Sequence, residues 1–208
     1  MFCMNPFISV APGRLITILA AMLLVGCTGL GQVPPALQRL DLGAPPDGVT
    51  RAAQSAPVKT LVVPPVSAPA MLQGVGVVWR MGPDGLPNRY ATYEWAASPD
   101  SLIHERLIDR LSRNFAILPE SVGSDALTLR VNLLQFEQVY AADGSGNEGI
   151  VGIQAVLLRG SDVLGQYRDT ERVRAQANDA QAGARALRIA TNQLANDLTA
   201  WISQTAQK

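Results

Sequence analysis

The chain offers little that reacts. Its 208 residues contain one histidine and two cysteines. Two cysteines cannot build a disulfide-dense scaffold or a four-cysteine zinc site. No G-x-S-x-G, P-loop or H-E-x-x-H pattern occurs. Gly74-x-Gly76 lacks the third glycine of a phosphate cradle and precedes a strand rather than a helix. His104 sits beside Glu105 and Arg106 and reads as a structural residue rather than a base. Asp100, Glu105 and Asp109 read as helix-surface charge. No catalytic residue and no metal ligand is assigned. A surplus of either charge is also missing, with 17 Lys+Arg against 17 Asp+Glu. A nucleic-acid binder needs a basic surplus to displace counterions, so that class is excluded. At 48% hydrophobic and 16% charged residues, the chain is too apolar to stay disordered.

What is present begins with an address. Arg14 is the only charged side chain before Cys27, and Leu15 to Val25 is an apolar run broken only by Thr17. Such a run is too short to span a bilayer of about 30 Å but fits a signal-peptide core. It ends in Leu24-Val25-Gly26-Cys27, which resembles a bacterial lipobox. In such signals the cysteine thiol takes a diacylglyceryl group, and cleavage before it frees an amine for a further acyl chain. Residues 1–26 are therefore expected to be a lipoprotein signal peptide, with Cys27 the lipidation site. The other reading is an ordinary secretory signal that leaves Cys27 as a free thiol. Threonine rather than aspartate at position 28 favours the outer membrane under bacterial sorting rules. Cys3 leaves with the leader, so the mature chain must fold without crosslinks, which its length permits. No cofactor is expected beyond the lipid on Cys27.

Residues 27–57 are rich in proline and glycine and read as a lipid-anchored tether, stretching to roughly 100 Å if fully extended. Within it, Leu37 to Leu42 alternates like a short strand. The folded periplasmic domain is expected over 58–208. Strands are expected at Thr60–Val63, Gly74–Met81, Arg89–Ala96, from Leu127, at Ile150–Arg159 and at Val163–Val173. The second and third of these form a hairpin with a long turn-rich loop. After Leu133 the alternation slips to Leu134 and Phe136, which predicts a bulge. Ser98, Pro99 and Asp100 open a helix whose apolar stripe is Ile103, Leu107, Leu111 and Phe115. A last helix is expected from Asn178, with Gln181 completing a capping box, and its stripe runs through Leu187, Leu194, Leu198 and Trp201. The fold class is α+β: a mostly antiparallel sheet with two amphipathic helices packed on one face.

Aromatics make up 5% of the chain, and they cluster. Trp79, Tyr90, Tyr93 and Trp95 all fall in the hairpin. They read as core and cross-strand pairs or as a surface for a partner. The partner surface is assigned to Trp79, Arg80, Tyr90 and Tyr93.

Together these features resemble the ABC-type transport auxiliary lipoproteins, the PqiC-like component of MCE-type intermembrane lipid transport systems. The matching features are the lipobox at Cys27, Leu40-Asp41-Leu42-Gly43, Leu61-Val62-Val63 with Val66 and Ala68-Pro69, and Val78-Trp79-Arg80. Tyr90 through Trp95 with Pro99, and a last helix closing on Leu198 and Trp201, complete them. Leu40 stands where the family more often has an aromatic, and Trp79 where it more often has tyrosine. The resemblance implies a non-enzymatic lipoprotein on the inner leaflet of the outer membrane, with its domain in the periplasm. Its partners would be an MCE-domain protein and an inner-membrane permease and ATPase that move phospholipids. The family carries no catalytic residues. The alternative is a structural or secretion-associated envelope lipoprotein, and a third class is an envelope hydrolase.

Overall fold

One long strand organises the sheet. Leu127, Leu129, Val131 and Leu133 are buried and alternate with Thr128, Arg130 and Asn132, so the segment has one face in the core. In the computed structural model, which describes residues 36–45, 59–120 and 126–207, this strand is β6, Leu127–Tyr140. The elements before it are β1 (Gln38–Leu40), β2 (Thr60–Val62), β3 (Gly76–Met81), β4 (Asn88–Trp95), helix α1 (Pro99–Leu111) and β5 (Ala116–Leu118). After it come β7 (Asn147–Arg159), β8 (Asp162–Arg174) and helix α2 (Ala180–Thr205). The described residues belong to one unit, Ala36–Lys208. The leader, Cys27 and most of the tether lie outside the described residues.

The sheet is mixed. On one side β6 pairs antiparallel with β7, and β7 with β8, in a long meander. On the other side β6 takes three short parallel partners in turn: β2 near Leu127, Ser67 at Asn132, and β3 from Gln138. β3 and β4 form the expected hairpin, and β1 adds to β4 in parallel. The bulge expected after Leu133 is present, since the pairing jumps from Leu133↔Ile153 to Gln135↔Gly152. It moves Phe136 onto the core face, where its ring meets Trp95 at 5.2 Å. Both residues are about 1% exposed, and burial of side chains this large contributes about 2–3 kcal/mol each.

The strand expected at 37–42 is β1. It lies in the folded unit, although the sequence places those residues in the tether. No sequence signal marks β5, whose three residues pair with β2 while Ile117 packs against the core.

The two helices cover one face. α2 packs along β7 and β8 and also touches β6 and α1. Its stripe of Leu187, Ala190, Leu194, Leu198 and Ile202 is buried. Close approach requires glycine at 149, where an added Cβ would lie 2.6 Å from the Leu187 nitrogen. The N-cap of α2 is Asp179, whose carboxylate accepts from the Ala182 amide at 2.7 Å, not Asn178. Gln181 does not close a capping box; it donates to the Gln38 side chain of β1. α1 begins at Pro99 and buries Leu102, Ile103, Leu107 and Leu111. It also buries Arg106, the one charged residue among its buried side chains.

Candidate interaction surface

The hairpin residues singled out from the sequence do not share one face. Trp79, Tyr90 and Tyr93 come together. Trp79 lies 6.0 Å from Tyr90, and Tyr90 stacks edge-on against Tyr93 at 5.9 Å. Tyr140 of β6 joins them, 5.9 Å from Trp79. The four rings are half-buried, so each has a covered body and a solvent-facing edge. Arg80 follows Trp79 along β3 and points to the opposite face of the sheet. There it pairs with Glu137 at 2.7 Å and donates to the Gly85 carbonyl.

A buried amide fixes the aromatic group. Gln138 is fully buried on β6, opposite Trp79 in the register. Its oxygen accepts from the Tyr90 hydroxyl at 2.9 Å. Its nitrogen donates to Asn147 at 2.6 Å and to the Asp179 carbonyl at 3.1 Å. The Tyr90 and Tyr140 hydroxyls share a hydrogen bond of 2.6 Å. Burial and that bond push the Tyr90 phenol well above its usual range, so it stays neutral. Gln138 thus joins the hairpin, β7 and the entrance to α2. The sequence signal for Gln138 and Tyr140 was the bulge itself, which places both on the Phe136 face.

The opposite sheet face holds the Arg80–Glu137 pair. Glu137 is 3% exposed, and Gln135 also donates to it at 2.5 Å. A cleft of about 330 Å³ opens beside them, bordered by Arg168 and Thr170.

On the helical side, His104 is half-buried with Nε2 3.1 Å from the Val63 carbonyl, which ties α1 to the end of β2. Asp169, Glu171 and Asp197 gather at the β8–α2 seam with carboxylate oxygens within 4.8 Å of one another. Burial, then repulsion from Asp169 and Asp197, raises the Glu171 carboxyl above its usual range. No helix among the described residues is long and apolar enough to cross a membrane.

The same fold occurs in solved structures. A Xanthomonas campestris protein of family-model DUF330 is 22% identical, with 83% of this chain and 95% of that chain covered and a TM-score of 0.65. A second, uncharacterized protein is 19% identical, with 80% and 99% covered and a TM-score of 0.64. At these identities the likeness shows the fold. No curated protein matches significantly. The model of one sequence family matches residues 40–199, from the end of β1 to the last turns of α2. That family is one of transport auxiliary lipoproteins and not a known enzyme family. The chain therefore belongs to the ABC-type transport auxiliary lipoprotein component family.

Proposed function

We propose that the protein is a lipid-anchored accessory subunit of an ABC system that moves phospholipids through the envelope. On this reading Cys27 carries the acyl chains and holds the protein on the inner leaflet of the outer membrane. The α+β domain then docks on a periplasmic MCE-domain subunit that is linked to an inner-membrane permease and ATPase. The observation that carries the reading is the family match, which spans nearly the whole folded unit. The Leu24-Val25-Gly26-Cys27 sequence supports the anchor, because two or three acyl chains hold a protein at a membrane stably where one does not.

The fold shortens the reach of that anchor. β1 begins at Gln38, so ten residues (28–37), or eleven residue-to-residue steps, separate it from Cys27. Fully extended they span about 36 Å, far less than the tether length read from the sequence. The subunit therefore works close to its own membrane, and the partner must come to it.

The Trp79–Tyr90–Tyr93 side of the hairpin is the docking surface in this proposal. Half-buried aromatics held by a buried hydrogen-bond network resist rearrangement and present apolar edges with little entropy left to lose. Photo-crosslinkers at positions 79 and 93 test it in cells, together with palmitate labelling of the Cys27→Ser variant. Crosslinks to an MCE-domain subunit and loss of label support the reading. Retained label in Cys27→Ser sinks the anchor, and crosslinks only to unrelated envelope proteins sink the partner.

A further inference from the structure

The chain is neutral overall, but its charge is not evenly spread. Along β8, the residues at odd positions from Gly165 face α2. An added Cβ at Gly165 would lie 3.2 Å from the Trp201 ring, Tyr167 stacks on Trp201, and Asp169 and Glu171 meet Asp197. Arg168, Thr170, Arg172 and Arg174 alternate with them, so they point away from the helices, and all four are exposed. The register continues that face across the sheet. Arg168 is opposite Gln154, Gln154 is opposite Asn132, and Arg130 flanks Asn132 on β6. Arg80 joins beyond Glu137.

Two acids share this face of β6, β7 and β8, and both are paired. Glu137 is held by Arg80, and Glu148 lies 4.0 Å from Arg172. Arg130, Arg168 and Arg174 have no carboxylate within ion-pair distance among the described residues. Asp169 and Glu171 of β8 point to the other side, toward Asp197. Backbone alternation thus sorts a neutral sequence into a basic sheet face and an acidic helical edge.

We propose that this outer face of β6, β7 and β8 binds the phosphates of anionic phospholipids and lays the domain against a bilayer. This deepens the proposed anchoring at Cys27. Guanidinium groups suit phosphate because their planar fork donates two parallel hydrogen bonds. On a strand, alternate side chains stand about 6.7 Å apart, so the row meets several separate phosphates rather than one. Uncharged donors fill the gaps, at Asn132, Gln154, Gln166 and Thr170. The geometry of the chain points the same way. From β1 to β8 the sheet runs β1-β4-β3-β6-β7-β8, about 24 Å at 4.8 Å per strand. The span of about 36 Å available between Cys27 and β1 exceeds that width, so the anchor permits this face to lie flat on its own membrane.

The test uses residues 28–208, which lack the leader and the lipidated cysteine, keep the whole folded unit and report on the face alone. They are sedimented with phosphatidylcholine vesicles with and without phosphatidylglycerol, beside a variant carrying Arg130→Gln, Arg168→Gln and Arg174→Gln. All three positions are exposed, and circular dichroism confirms the fold. We expect binding only to the phosphatidylglycerol vesicles, weakened by salt. Each neutralised arginine lowers the partition coefficient about fivefold, so the triple variant falls about a hundredfold. Equal binding to both vesicle types, or an unchanged triple variant, overturns the proposal. So does displacement by millimolar inorganic phosphate but not by salt of equal ionic strength, because that marks a single phosphate site. Loss of an acidic protein partner in the triple variant, with no vesicle binding by the parent, assigns the face to that protein and also overturns it. Acylation of Cys27, read separately by mass spectrometry of the native protein, does not enter this outcome.

Discussion

Arg106 in α1 donates through Nη2 to the carbonyl of Leu42 at 2.8 Å, across 64 positions of sequence. The same nitrogen reaches the Gly43 carbonyl at 2.6 Å, and Nη1 donates to Asn192 of α2 at 3.1 Å. One side chain thus fastens the segment after β1 to both helices. Burial lowers the guanidinium pKa, with smaller opposing help from Asp109. The group stays charged at any physiological pH because its starting value is so high. A fork with five donors is the side chain that satisfies two carbonyls and an amide at once.

Replacing Arg106 with alanine leaves those acceptors without their donor in a largely dry site. We expect a loss of about 3 kcal/mol, read from denaturant midpoints. The Ala96 amide, which donates to the Leu40 carbonyl where β1 joins β4, should exchange with solvent much faster. Arg106→Lys should recover part of the stability and none of the bond to Asn192. Unchanged exchange at Ala96 in the alanine variant would show that β1 holds without the clasp.

Gly183 in the first turn of α2 lies directly over the Gln138 amide, and an added Cβ would collide with it. On propensity alone, glycine to alanine inside a helix gains about 1 kcal/mol. Here Gln138 cannot retreat, since Tyr90, Asn147 and Asp179 hold it. We expect Gly183→Ala to destabilise by about 1–2 kcal/mol net, because overpacking outweighs propensity. The double variant Gly183→Ala, Gln138→Ala should lose less than the sum of the two single losses, because the clash is gone, yet stay below the parent if the network itself matters. Full recovery would mean that only the clash does.

Most of the architecture could be read from alternation and spacing. β6, β7, β8 and the α1 stripe follow from period, and the bulge after Leu133 from a slip in phase. The remainder depends on contacts distant in sequence. β5 is three residues long and exists because β2 offers an edge. Arg106 looks polar by residue type, yet its helical phase falls between Leu102 and Ile103, and it is buried there because a returning segment takes its donors. The split between Trp79 and Arg80 follows from strand alternation, so it was available in the sequence. The ion pair with Glu137 that fixes Arg80 was not, because it spans 57 positions. Cys27 lies outside the described residues, and its role rests on the Leu24-Val25-Gly26-Cys27 pattern.

That ion pair makes Arg80 a poor choice for probing a docking surface. Glu137 is 3% exposed, and Arg80→Ala removes its cation. Breaking a buried pair from one side costs about 3 kcal/mol, since the remaining charge keeps its desolvation penalty. Replacing both as Arg80→Met and Glu137→Leu should cost much less. A thermal melt distinguishes the two cases, and equal melting points for the single and double variants would refute the buried-charge account. Trp79 and Tyr93 lie outside the hydrogen bonds of Gln138 and can be changed to test partner binding with less loss of fold.

The acidic seam between β8 and α2 gives a pH dependence opposite to that of a salt-bridged carboxylate. Glu171 titrates above its usual range because it is partly buried beside Asp169 and Asp197. Its folded value lies above its unfolded one, so the folded state binds the proton more tightly. The stability this adds is full below the unfolded value, about pH 4, and disappears as pH rises through the folded value. At neutral pH the ionised group is therefore a net strain on the seam. We expect Glu171→Gln to stabilise the protein at pH 7 by about 0.5 kcal/mol at most, because solvent screens so open a site. That advantage should shrink as the pH falls to about 4, where the parent carboxyl is itself protonated. Added salt should narrow the gap at pH 7 by the same logic. Urea titrations of parent and variant at the two pH values measure it. A variant less stable than the parent at pH 7 would mean that Glu171 makes a favourable contact outweighing the repulsion from its two neighbours.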